Sequence, residues 1–150
     1  MIPSPGAYGY IESWIKVLNL AIKNKFKKIL VFDDDIIFHN KFENEVRLFF
    51  RQIGTNFKLA NFGVSQHVWG KIVTKHRYYN PIEYTDGSFA VGMDSSIFQE
   101  VLNEASKYNI AFDSGAIRHI YKKYKNECFI AYPNLVIADL TSSSISAKRN

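Results

Sequence analysis

Cysteine is almost absent from this chain: one thiol, Cys128, occurs in 150 residues. An internal disulfide is therefore excluded, and so is a zinc site built on cysteines. Proline (4) and glycine (8) are sparse, which argues against a disordered or collagen-like chain. Long apolar runs are missing too; none approaches the roughly 20 residues that span a bilayer. The amino-terminal stretch lacks the basic-then-apolar plan of a signal peptide, so a reducing, cytoplasmic setting is expected. No repeat at solenoid spacing is visible. What is present is an ordinary globular composition, 47% hydrophobic and 22% charged. That is enough for one core, and one α/β domain over residues 1–150, or a fragment of one, is the expectation.

The net charge is +5, which favours anionic partners such as nucleic acid or a nucleotide diphosphate. Two basic clusters stand out, "KNKFKK" (Lys23 to Lys28) and "YKKYK" (Tyr121 to Lys125). Both read as solvated helix faces rather than nucleic-acid patches, and no nucleic-acid partner is expected.

Periodicity predicts a first helix over about Tyr8 to Lys23, with Ile11, Trp14, Ile15, Leu18 and Ile22 on one stripe. "KKILVFD" follows as a short apolar run of the kind found in a strand buried on both faces. Asn40 and Glu43 have capping-box spacing ahead of a second helix that Gly54 closes. "FKLANFG" predicts a second strand, and Val64 to Thr85 a long loop rich in aromatic residues. "GSFAVGM" is strand-like, with Asp94 as the cap of a third helix. A fourth helix begins after Asp113, and "CFIAYP" and "LVIADL" supply terminal strands. Alternating strands and helices predict an α/β layer fold with its chemistry at the carboxyl ends of the strands.

At one such end lie three adjacent carboxylates, Asp33, Asp34 and Asp35, inside "ILVFDDDIIF". Burying unpaired carboxylates is costly, and neighbours of like charge repel. A cation is needed to offset them. Asp33 and Asp35 lie two apart, so in an extended segment both side chains reach the same ion. Carboxylate oxygens are hard ligands that suit Mg²⁺ or Mn²⁺, and such ions keep positions open for substrate phosphates. Two enzyme classes use a strand followed by D-x-D. In phosphatases of the haloacid dehalogenase type the first carboxylate, here Asp33, is a nucleophile; the present fit stops at that one motif.

The second class matches in several blocks. "PGAYGYIESW" (Pro5 to Trp14) resembles the G-x-x-G-C-x-x-S-H stretch of family 25 glycosyltransferases, with Gly6, Gly9 and Ser13 matching. That family includes lipooligosaccharide and collagen galactosyltransferases. Tyr10 and Trp14 stand where it has Cys and His, and no role is carried onto them. "KKILVFDDDIIFHNKF" is similar to the "ILILEDDI" block, with Asp33 in place of Glu. "FKLANFG", "TDGSFAVGMDSSIFQEVL" and "FDSGAIRHIY" resemble three later blocks, and Asp113 matches the acid of the last. "AYPNLVIADLTSSSIS" is similar to the closing segment, at Ser143, Ser144 and Ile145.

The resemblance implies a GT-A-type three-layer sandwich, truncated at the N-terminus because the strands gripping the nucleoside base would precede residue 1. It implies transfer of a sugar from a nucleotide-diphosphate sugar, a UDP-sugar first, to a hydroxyl of a glycan or protein. Asp33 and Asp35 would hold Mn²⁺ or Mg²⁺ and Asp34 would support them. Asp113 is the first candidate for the base that takes the acceptor proton and Asp86 the second; a cap role competes for Asp113 and a turn role for Asp86. Trp69, Tyr78 and Tyr79 are candidates for stacking on sugar rings, His39 for a helix start and His119 for the surface. A catalytically silent binding module is the remaining alternative, and association of several copies is left open.

Overall fold

The computed structural model describes residues 3–139 and Thr141; Ser143, Ser144 and Ile145 lie outside the described residues. Helix α1 (Pro5–Lys23) starts three residues before the expected Tyr8. Pro5 fits the first turn, and the Ser4 hydroxyl accepts the Ala7 N–H at 3.3 Å. Ile11, Trp14, Leu18 and Ala21 form its buried face, whereas Ile22 is exposed. Strand β1 (Lys28–Phe32) leads through the acidic bend to β2 (Ile36–Phe38). Helix α2 (Phe42–Ile53) begins one residue later than a cap at Asn40 would place it, with Lys41 at the cap position. The His39 carbonyl accepts the Phe42 N–H (3.0 Å), and its ring Nδ1 accepts the Lys41 N–H (3.1 Å). His39 thus shapes the helix start in place of Asn40. Gly54 ends the helix at φ 70°, a conformation glycine adopts freely.

Four short strands come next: β3 (Leu59–Asn61), β4 (Ser65–Gln66), β5 (Tyr78–Tyr79) and β6 (Thr85–Asp86). The expected long loop is thus threaded with short pairings. Strand β7 (Ala90–Asp94) runs into a turn capped by Asp94, whose carboxylate accepts the Ser96 N–H, and then into α3 (Phe98–Ala105). A π-helical turn over Asp113–Ile117 opens α4 (Arg118–Lys123), and β8 (Cys128–Ala131) and β9 (Val136–Ala138) close the described chain.

Five strands form one mixed sheet in the order β1-β7-β3-β8-β5. Strands β3 and β8 are parallel and the other neighbours antiparallel. Helices α1, α3 and α4 share one apolar cluster on one face, with Trp14, Leu59, Met93, Ile117 and Ile130. Helix α2 covers the other face, where Phe62 meets Phe32, Phe42, Phe49 and Phe50 at centroid distances of 5.7–6.3 Å. The chain is therefore α/β, with helices on both sides of a mixed sheet. Among the described residues no helix is long and apolar enough to cross a membrane.

One expectation is corrected. Strand β1 is an edge strand, not a strand buried on both faces. Ile29 and Val31 pack against the core, but Leu30 is 53% exposed beside Leu20 and Phe26 of the α1 flank. A continuous apolar run does not distinguish a central strand from an edge strand lying beside an apolar groove.

Two glycines provide opposite tests. A Cβ on Gly63 would lie 1.9 Å from the Val136 carbonyl oxygen, while Gly9 has nothing within 4 Å. Gly63→Ala is expected to destabilise by at least about 2 kcal/mol through overpacking against backbone. Gly9→Ala, inside α1, is expected to stabilise by about 0.5–1 kcal/mol. Urea denaturation of both variants checks the signs.

Candidate active site at one rim of the sheet

Strands β1 and β3 both run antiparallel to β7. Their carboxyl ends and the start of β7 therefore share one rim. Asp33 follows β1 there, Asn61 ends β3, and Ser88 and Phe89 lead into β7. The Asp33 N–H donates to the Phe89 carbonyl at 2.9 Å, one step beyond the ladder. Helix α1 reaches the same point through Tyr10. The Tyr10 hydroxyl donates to Asp33 Oδ1 at 3.2 Å and lies 3.0 Å from Ser88 Oγ. With the phenolic proton on Asp33, the Ser88 hydroxyl is left to donate to the phenolic oxygen.

The chain does not stay extended through the triplet. Asp34 and Asp35 form a bend, with Asp34 exposed and Asp33 and Asp35 half-buried. Strand alternation therefore does not orient these side chains, although Asp33 and Asp35 do share partial burial. The Asp35 carbonyl accepts the Asp139 N–H at 2.7 Å, which ties the bend to the β2–β9 ribbon. Burial pushes the Asp33 carboxyl up to about 6; the Tyr10 hydrogen bond pulls it down, and the charges of Asp35 and Asp34 add to the rise. Burial, with the charge on Asp33, also pushes the Tyr10 phenol well above its ordinary range. Among the described residues no ion pair involves Asp33, Asp34 or Asp35.

A second acidic pair occupies the same rim. Asp86 ends β6 and receives a hydrogen bond from the Arg118 guanidinium. Gly87, at φ 119°, turns the chain towards Ser88, and its carbonyl accepts Asn61 Nδ2 at 3.3 Å. The turn at residues 86–88 thus links the Tyr10–Asp33 bridge to Arg118. Asp113 belongs to this second group. Burial raises its carboxyl pKa, opposed by the Ser114 N–H that Oδ1 accepts at 2.9 Å, and the nearby Asp86 charge raises it further. The residue before it, Phe112, packs edge-on against Tyr10 with ring centroids 6.1 Å apart. Asn61 Oδ1 is buried here without a partner, a polar atom available to whatever fills the rim.

Other singled-out residues lie elsewhere. Tyr78 and Tyr79 form β5, at the opposite edge of the sheet from β1. Tyr78 packs on Phe129 at 5.2 Å, and Tyr79 is buried. Trp69 is exposed on a 3₁₀ turn, and His119 Nε2 lies 2.8 Å from Glu100. Tyr10, Ser88, Asn61 and Arg118 had drawn no functional reading from sequence. A signal existed for two of them: Ser88 sits two residues from Asp86, and Tyr10 precedes buried Trp14 by one helical turn.

Among the described residues no three His, Cys, Asp or Glu side chains gather closely enough to hold a metal by themselves. A divalent ion held by one or two carboxylates and completed by substrate phosphates does not need three. The acidic bend fits such an ion on charge, because Asp33 is half-buried beside two like charges and, among the described residues, no cation pairs with them. No protein-family model and no curated protein matches the chain.

The raised Asp33 carboxyl has a stability consequence with a definite sign. A folded-state value near 6 against an ordinary 3.8 favours the folded state fully below pH 4, and that contribution is lost as pH rises through 6. Asp33→Asn should therefore match the parent near pH 4 and exceed it at pH 7. The gain is about 1 kcal/mol after solvent screening at a half-exposed site. Denaturation at both pH values measures it.

Proposed function

We propose that the chain serves metal-dependent glycosyl transfer from a nucleotide-diphosphate sugar, with a UDP-sugar as first candidate, to a hydroxyl on a glycan or protein. The observation that carries the reading is the acidic bend Asp33–Asp35, without an ion-pair partner among the described residues and set on the rim that also gathers Asp86, Arg118 and Asp113. The order and spacing of the family 25-like blocks support it. They also bring a GT-A-type architecture into the proposal, which the helix-covered mixed sheet accommodates.

Asp33 and Asp35 would hold Mn²⁺ or Mg²⁺, and Asp34, exposed beside them, adds negative potential. When bound, the ion supplies Lewis-acid stabilisation of the departing diphosphate. Tyr10, itself held by Ser88, positions the Asp33 carboxylate at the rim. In the transfer, the acceptor oxygen bonds to the anomeric carbon as the bond from that carbon to the diphosphate oxygen breaks. The acceptor proton passes to Asp113, whose proton affinity is raised by burial and by the Asp86 charge. Asp86 is engaged by Arg118; its role in this scheme is to position that guanidinium, which leaves Asp113 as the base.

Phosphatase chemistry would require Asp33 to attack phosphorus and carry a covalent phosphate. A silent module would bind UDP without turnover. At 100 times its dissociation constant, UDP with Mn²⁺ should raise the melting temperature by roughly 5–10 °C. Asp35→Asn should abolish that rise. Asp113→Asn should keep it while lowering transfer by about 10²- to 10⁴-fold. A phosphorylated Asp33, or a rise unaffected by Asp35→Asn, overturns the reading.

A further inference from the structure

A cleft of about 380 Å³ opens between the segment around Tyr84 and the helix that carries Arg118. One wall holds Arg118 and Lys122, one helical turn apart on α4, and Lys125 from the 3₁₀ turn that follows the helix. The other wall holds Ile82, Glu83 and Tyr84. Tyr84 sits at φ 62° and is 49% exposed. That wall is held in place: Thr85 Oγ1 accepts the Ile82 N–H at 3.1 Å and Gln66 Nε2 at 2.6 Å. The cationic wall is fixed as well, since Asn80 Nδ2 donates to the Lys125 and Cys128 carbonyls.

The basic residues of this region divide by partner. Lys123 and His119 both bind Glu100. Lys122 and Lys125 form no ion pair among the described residues, and Arg118 is shared with Asp86. Three cations therefore face a cleft whose lining contains one carboxylate, Glu83. A merely solvated face would not place them around a preformed hollow with an exposed aromatic ring opposite.

We propose that this cleft recognises a carbohydrate bearing an oxyanion, a phosphate or a carboxylate. The oxyanion lies among Lys122, Lys125 and the outer edge of Arg118, and the apolar face of the sugar ring rests on Tyr84. Arg118 joins the cleft to Asp86 and so to the rim that holds Asp113. As the acceptor's subsite the assignment rests on the transfer reading; as an anion site it stands independently of it.

The test uses the full chain without metal or nucleotide sugar, so its failure leaves the metal reading untouched and the reverse also holds. Glucose 6-phosphate, glucuronate and glucose are titrated while the amide signals of Tyr84, Lys122 and Lys125 are followed by NMR. At least one of the two anionic sugars should bind at least tenfold more tightly than glucose, and the tighter of them names the oxyanion. Lys122→Ala combined with Lys125→Ala should weaken that binding at least tenfold and leave the urea denaturation midpoint unchanged. Equal affinity for glucose and both anionic sugars, binding indifferent to the double substitution, or signals perturbed only near Asp33 would overturn the proposal.

Discussion

Asp33 must keep either a negative charge or a proton where three segments close over it: α1 through Tyr10, the lead into β7 through Ser88 and Phe89, and its own strand β1. Water is partly excluded there, and Asp34 and Asp35 are near enough to raise its proton affinity. A carboxylate in that setting is unfavourable unless something positive approaches it. The described chain offers one neutral donor, the Tyr10 hydroxyl, and no cation. Much of the rim is arranged around that deficit. The charged form of Asp33 therefore costs stability at neutral pH, and carboxylates perturbed in this way cluster at functional sites.

The scaffold supports this by rigid packing on both faces of the sheet. Phe62 meets four other phenylalanine rings on the α2 face, and Trp14 stacks on Phe112 at 4.6 Å on the other. The second contact couples α1 directly to the turn that begins at Asp113. Tyr10 and Asp113 are thus positioned by one aromatic assembly, although they are 103 residues apart in the chain numbering. Gly63 permits the closest backbone approach, where the chain near Val136 crosses β3's exit. The Leu135 N–H donates to the Phe62 carbonyl at 2.7 Å in that crossing.

Charge is also sorted by the fold. Arg118 is spent on Asp86 and Lys123 on Glu100, while Lys122 and Lys125 line an open cleft. In the sequence these residues form one basic run. On α4 Lys122 and Lys123 point to different sides, and Lys125 lies beyond the helix end on the following 3₁₀ turn.

The helix of Pro5–Lys23, the strand before the acidic triplet, the buried Cys128 and the cap at Asp94 were all legible from local pattern. Each depends on side-chain periodicity or on hydrogen bonds between near neighbours, which a linear chain already contains. The exposed edge of β1, the bend through Asp34 and Asp35, and the start of α2 at Phe42 were not. Edge or centre is decided by which distant strand pairs, and the apolar run "ILVF" satisfies either position. The same division holds at the rim. The chain by itself determined that Asp33, Asp34 and Asp35 crowd the end of a strand. Only the tertiary structure decided that Tyr10 meets both Asp33 and Ser88, that Arg118 takes Asp86, and that Asp113 is buried nearby, because those hydrogen bonds join residues up to 78 apart in the chain.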